Sequence, residues 1–147
     1  PHGTGNIKAG LNYAMSLKAG MEAHAEGYAE NLYLDSQTRT YVEETGGANV
    51  LFVKENGTLV VPQSHTDSIL PSITRRSLVQ VAKDLGMTIE ERPVAWDEVI
   101  DGAFVECGLC GHDEMGPVMK KLRETLTGIQ SGELEDKHDW VYKIDVA

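Results

Sequence analysis

The chain is poor in several things at once. It has only two cysteines, Cys107 and Cys110, among 147 residues. That is too few for a disulfide-stapled secreted fold, and a single C-x-x-C without a second ligand pair is too few for a structural zinc site, so no metal is expected. A reducing, cytoplasmic setting is the simpler expectation. Basic residues are also scarce: 13 Lys and Arg against 23 Asp and Glu give a formal net charge of −10 and a pI near 4.8. No positive patch is available to track a phosphate backbone or an anionic membrane, so nucleic acid and membrane surfaces are not expected partners. No apolar run approaches the ~20 residues of a membrane helix. The opening Pro1-His2-Gly3-Thr4-Gly5 has neither the charged nor the apolar region of a signal peptide. It reads as loop chemistry leading into a helix, as if taken from within a longer protein. Repeats and low-complexity linkers are missing too.

What remains suits one soluble globular domain: 41% of residues are hydrophobic types, and the length suffices for a sizeable core. Leu11 to Glu26 carries Leu11, Ala14, Met15, Leu17, Met21 and Ala25 among good helix formers, with Gly27 placed as a C-terminal cap. Asn31–Asp35 and Thr40–Glu44 are two short β-type runs around a polar connection, which predicts a hairpin. A second hairpin is predicted from Val50–Lys54 and Thr58–Val61 around Glu55-Asn56-Gly57, since Asn-Gly tolerates the positive φ of a tight turn. Pro71-Ser72 opens a helix over Ile73–Leu85, where Leu78, Val81, Ala82 and Leu85 follow helical spacing. A strand is expected over Met87–Val94, a helical turn over Trp96–Ile100 and an apolar strand over Ala103–Cys110. A helix over Met115–Ile129 and a terminal strand over Trp140–Ile144 complete the chain. The fold class is therefore mixed α and β in a single domain.

Three features invite a chemical reading. Lys8 borders a Gly-rich loop and a helix, where burial and neighbours can keep a lysine amine neutral and nucleophilic; most lysines, however, are simply solvated. Glu43-Glu44-Thr45-Gly46-Gly47-Ala48-Asn49 lies between the hairpins. On a strand the two glutamates face opposite ways, so one points inward, where a carboxylate needs a partner such as a protonated ring nitrogen. Locally, a polar connection explains it as well. Ser72-Ile73-Thr74 starts a helix, so its free N–H groups and the Thr74 hydroxyl offer an anion site, although every helix has such an end.

Taken in order, Lys-Ala-Gly-x-Asn-Tyr, Glu-x-Gly-x-x-Asn and Ser-x-Leu-Pro-x-Ile-Thr-Arg make the chain resemble the fold-type IV pyridoxal-phosphate enzymes, and within them the branched-chain amino acid aminotransferases. The likeness extends to Gly27-Tyr28, Leu34-Asp35, Glu90-Glu91-Arg92-Pro93, Gly128-Ile129-Gln130-Ser131-Gly132 and Asp139-Trp140. The last two favour that family over its relatives, the D-amino acid aminotransferases and aminodeoxychorismate lyases, which stand as alternatives. A non-catalytic folded fragment is a third alternative, from a different class.

The resemblance implies the large, C-terminal domain of an α/β fold in which a mixed sheet forms a partial barrel with flanking helices. It implies pyridoxal 5′-phosphate as cofactor. Lys8 matches the lysine that holds it as a Schiff base and then moves the substrate proton. Tyr13 matches the phenol at the ring oxygen, Glu44 the carboxylate at the pyridine nitrogen, and Ile73 with Thr74 the phosphate cup. The implied reaction, in branched-chain amino acid biosynthesis, is transamination of L-leucine, L-isoleucine or L-valine with 2-oxoglutarate, giving the 2-oxo acid and L-glutamate. The implied partners are these substrates and, in the full-length protein, a second copy in a homodimer.

Family members are roughly twice as long, so an N-terminal small domain is expected to be absent here. The family also continues after the Gly-Leu-Cys-Gly strand with a threonine and small residues. In this chain Gly111 is followed by His112-Asp113-Glu114-Met115-Gly116-Pro117, which resembles a segment further downstream. A loop is therefore expected to be missing between Gly111 and His112. Cys107 and Cys110 are expected to be two reduced, partly buried thiols, because i and i+3 on a strand face opposite ways.

Overall fold

The computed structural model describes residues 3–107 and 115–144. The centre of the molecule is the second hairpin, β3 (Phe52–Val53) and β4 (Leu59–Pro62), paired antiparallel with Phe52 opposite Val60. Gly57 in its turn has φ +80°, the conformation for which Asn-Gly is suited. Both faces of this hairpin are buried, which explains its unbroken apolar sequence. Leu51, Val53, Leu59 and Val61 meet α2 (Ile73–Asp84) and α4 (Pro117–Ser131), chiefly through Val81, Ala82, Leu122 and Leu126. On the other face Val50, Phe52 and Val60 pack with Val42, Val94, Leu34 and Phe104.

The four-stranded sheet runs β5-β4-β3-β6, where β5 is Ile89–Arg92 and β6 is Glu106–Cys107. β4 and β5 are parallel, so α2 is the crossover between them, and the other two pairings are antiparallel. The first hairpin, β1 (Leu32–Leu34) and β2 (Val42–Thr45), is a separate antiparallel pair. It is tied to the segment after β5 by the Tyr41–Ala95 bridge and by the Val42 N–H donating to the Val94 carbonyl at 2.8 Å. α3 (Trp96–Ile100) follows, with Glu98 reaching back to the Ala95 N–H at 3.0 Å.

α1 (Gly10–Ala25) forms where expected, but none of its residues is buried; Met15, Leu17 and Met21 are 83%, 63% and 72% exposed. Helix-forming residues set its backbone, while its scattered apolar positions make no single face for the core.

Two expectations are corrected. No strand forms over Trp140–Ile144: Asp139 takes φ +54°, and the Asp136 carboxylate accepts from the Val141 and His138 N–H groups at 2.8 and 3.1 Å, drawing donors away from any ladder. Cys107 is disulfide-bonded and not reduced. Side chains at i and i+3 face opposite ways only within one regular strand, and β6 has Cys107 as its last residue. Cys110 itself, like the Gly111–His112 junction, lies outside the described residues.

Candidate active site

Three separate segments converge on one cavity of about 630 Å³, within the range of small-molecule sites. The first is the loop before α1. Asn12, in the first turn of the helix, donates from Nδ2 to the Thr4 and Ile7 carbonyls at 2.7 and 2.9 Å and accepts from the Thr4 hydroxyl at 2.7 Å. This closes the loop and fixes the backbone around Lys8. Gly5 lies so close to the Ser68 carbonyl that a Cβ would collide with it. Lys8 Nζ lies 3.2 Å from the Tyr13 hydroxyl, to which it donates, and 5.5 Å from the centre of that ring.

The second segment is the end of β2. Glu44 Oε2 accepts from Asn49 Nδ2 at 2.8 Å and from the Leu70 N–H at 3.2 Å. Half-burial pushes the Glu44 carboxyl above its ordinary 4.5, and the neighbouring Glu43 charge adds to the rise; the Leu70 N–H and Arg75 act in the opposite direction. Glu43 accepts from the Ser68 hydroxyl and, more weakly, from Ser64. Both glutamates line the cavity, in place of the single inward carboxylate expected from alternation. The turn between them and Asn49 is closed by Thr45, whose N–H and hydroxyl both donate to the Ala48 carbonyl.

The third segment is the start of α2. Ser72 is its N-cap, accepting from the Arg75 N–H at 3.1 Å, and the first turn holds no acidic residue, so its N–H groups and positive dipole end suit an anion. Ser72, Thr74 and Arg75 line the cavity. The Ile73 side chain is 74% exposed and is not part of that lining, which leaves only its backbone to face an anion.

Of the residues singled out from sequence, Lys8, Tyr13, Glu44 and Thr74 are thus brought together, and Ile73 lies beside them. Sequence reasoning passed over Asn12, Asn49 and Arg75. All three lie inside the three motifs, yet nothing local distinguishes an asparagine that clamps a loop from one that is solvated.

Comparisons with known proteins find relatives over nearly the whole chain. The family profile described as Amino-transferase class IV matches residues 4–111. A branched-chain-amino-acid aminotransferase of Helicobacter pylori is 38% identical over 164 positions, covering 98% of this chain and 47% of that protein. A probable branched-chain-amino-acid aminotransferase of Staphylococcus epidermidis is 40% identical, covering 94% and 45%. Among solved structures, the Escherichia coli branched-chain amino acid aminotransferase superposes with a TM-score of 0.80 at 32% identity, covering 95% of this chain and 51% of that one. The branched-chain amino acid aminotransferase from Thermobaculum terrenum, in its PLP-form, gives 0.72 at 32% identity, covering 87% and 46%. The chain spans about half the length of the curated relatives it matches.

Proposed function

Because the chain belongs to the class IV aminotransferases, we propose that the protein transfers amino groups between branched-chain L-amino acids and 2-oxoglutarate, using pyridoxal 5′-phosphate. The observation that carries this reading is the convergence of Lys8, Tyr13, Glu44 and Thr74 on one cavity from three remote segments. The donor set fits the cofactor: an amine for an aldehyde, a carboxylate with one oxygen unbonded among the described residues for a ring nitrogen, and a capped helix start with a cation nearby for a phosphate dianion.

When bound, the cofactor supplies an aldehyde for an amine to condense with and a ring that accepts electrons from the substrate α-carbon. The chain's own residues do the rest. Lys8 Nζ would hold the cofactor through its aldehyde carbon and would serve as the base for the substrate α-proton; both roles need the neutral amine. Tyr13, its hydrogen-bond partner, orients that amine. Glu44 as carboxylate would pair with the ring nitrogen and favour its protonated form. The Thr74 hydroxyl and the N–H groups of Ile73 and Thr74 would hold the phosphate at the start of α2, with Arg75 adding charge.

The relatives' greater length supports a further part of the reading, that a small N-terminal domain completes the pocket in the whole protein. The Helicobacter alignment has 164 positions against 147 residues here, so at least 17 of them lack a counterpart in this chain, consistent with a missing loop. A cytoplasmic homodimer is the assembly we propose for the full-length protein. No helix among the described residues is long and apolar enough to cross a membrane.

The test is glutamate formation by the full-length protein from 2-oxoglutarate with L-leucine or with D-alanine. Turnover with L-leucine and none with D-alanine is expected. Preference for D-alanine would assign the protein to the D-amino acid branch.

A further inference from the structure

Glu44 is held by one oxygen only. Oε2 takes both hydrogen bonds, from Asn49 Nδ2 at 2.8 Å and from the Leu70 N–H at 3.2 Å, while among the described residues Oε1 accepts none. Asn49 does more than cap this oxygen. Its Nδ2 also donates to the Leu70 carbonyl at 3.2 Å, and its backbone bridges to that of Glu44. The Asn49 amide therefore joins the carboxylate to the Leu70 carbonyl while the Leu70 N–H bonds the carboxylate itself, two residues before Ser72, the cap of α2.

We propose that Asn49 is a positioning residue. By occupying Oε2 and anchoring it to Leu70, it leaves Oε1 as the oxygen presented to the cavity and couples the carboxylate end of the site to the anion-binding start of α2. The Leu70 N–H alone would not do this: a single donor holds the carboxylate in more than one rotation, and a glutamate side chain has ample rotamer freedom to lose. A second donor on the same oxygen fixes the plane. Because hydrogen bonds to the charged form favour ionisation, Asn49 also helps keep a half-buried carboxylate charged. The inference rests on the reading of Glu44 as partner of a cofactor ring nitrogen.

The test uses the full-length protein and two readouts. In a double-mutant cycle on pyridoxal 5′-phosphate affinity, Asn49→Ala is expected to weaken binding about tenfold in the native background, the loss of one hydrogen bond to a charged group. In a Glu44→Gln background the same change should cost less than about twofold, because its route through the carboxylate is gone. Equal losses in the two backgrounds, or no loss in the native one, would overturn the proposal. The second readout needs no cofactor. With 13C-carboxyl-labelled glutamate, the Glu44 resonance, assigned by its absence in Glu44→Gln, should titrate about one pH unit higher in Asn49→Ala; an unchanged midpoint contradicts the proposal. Should Asn49→Ala fail to fold, Asn49→Asp keeps the shape, removes the donor and is expected to raise the midpoint further. If the native protein binds no pyridoxal phosphate, the functional reading falls while the titration still decides whether Asn49 governs Glu44.

Discussion

Asp35 and Glu44 sit on one hairpin and are driven in opposite directions. The Tyr41 N–H, then the N–H and hydroxyl of Thr38 and the N–H of Thr40, all donate to Asp35 and hold its carboxyl far below the ordinary 3.8 against the effect of burial. Such a group contributes stability that is complete above 3.8 and is lost as pH falls from there through its folded value. Asp35→Asn should therefore lower the melting temperature by several degrees at about pH 7, and the gap to the native protein should narrow in acid. Glu44 has the reverse sign. Its folded value lies above 4.5, so its burial costs nothing below pH 4.5 and destabilises as pH rises through the folded value. In the cofactor-free protein, Glu44→Gln is expected to raise the melting temperature at neutral pH by about 1–3 °C, with no difference below pH 4.5. The same substitution should weaken cofactor binding, so stability and function part at this residue.

Among the elements, α4 shows how a helix start can depend on a distant strand. Glu106, buried on β6, accepts from the Val118 and Met119 N–H groups at 3.1 and 2.9 Å, and Gly116 leaves room for its carboxylate. Glu106→Ala strands both donors and is expected to cost roughly 2 kcal/mol in urea unfolding. Gly57, at φ +80°, should resist replacement similarly: Gly57→Val is expected to cost at least about 1 kcal/mol.

What was legible in sequence follows the range of the forces involved. The two hairpins and α2 could be read because Asn56-Gly57, short β-type runs around polar connections and the Pro71-Ser72 opening act within a few residues. The disposition of α1 could not, because helix propensity says nothing of what a helix touches. The terminal strand was misread because Asp136 intercepts backbone donors, an event decided by a side chain. The Glu106 cap on α4 left no local signal at all.

At the scale of the whole molecule, the site is a long-range object. Lys8, Glu44 and Thr74 belong to three motifs that are each unspecific alone and become informative only through their order, which the family resemblance supplied. The contacts that join them were invisible in sequence: Gly5 against Ser68, and Asn49 and Glu44 against Leu70. The net charge of −10 is compatible with an anionic ligand because the start of α2 carries no acidic residue in its first turn and has Arg75 beside it in the cavity lining. A ligand bound only by the folded state stabilises it; at about 100 times its Kd, pyridoxal 5′-phosphate should add about 2.7 kcal/mol to the full-length protein.

The proposed chemistry depends most directly on Lys8. Full-length protein saturated with pyridoxal 5′-phosphate, reduced with borohydride and mapped by peptide mass spectrometry, is expected to carry one phosphopyridoxyl group, on Lys8. An unlabelled Lys8, or the label on another lysine, would contradict it.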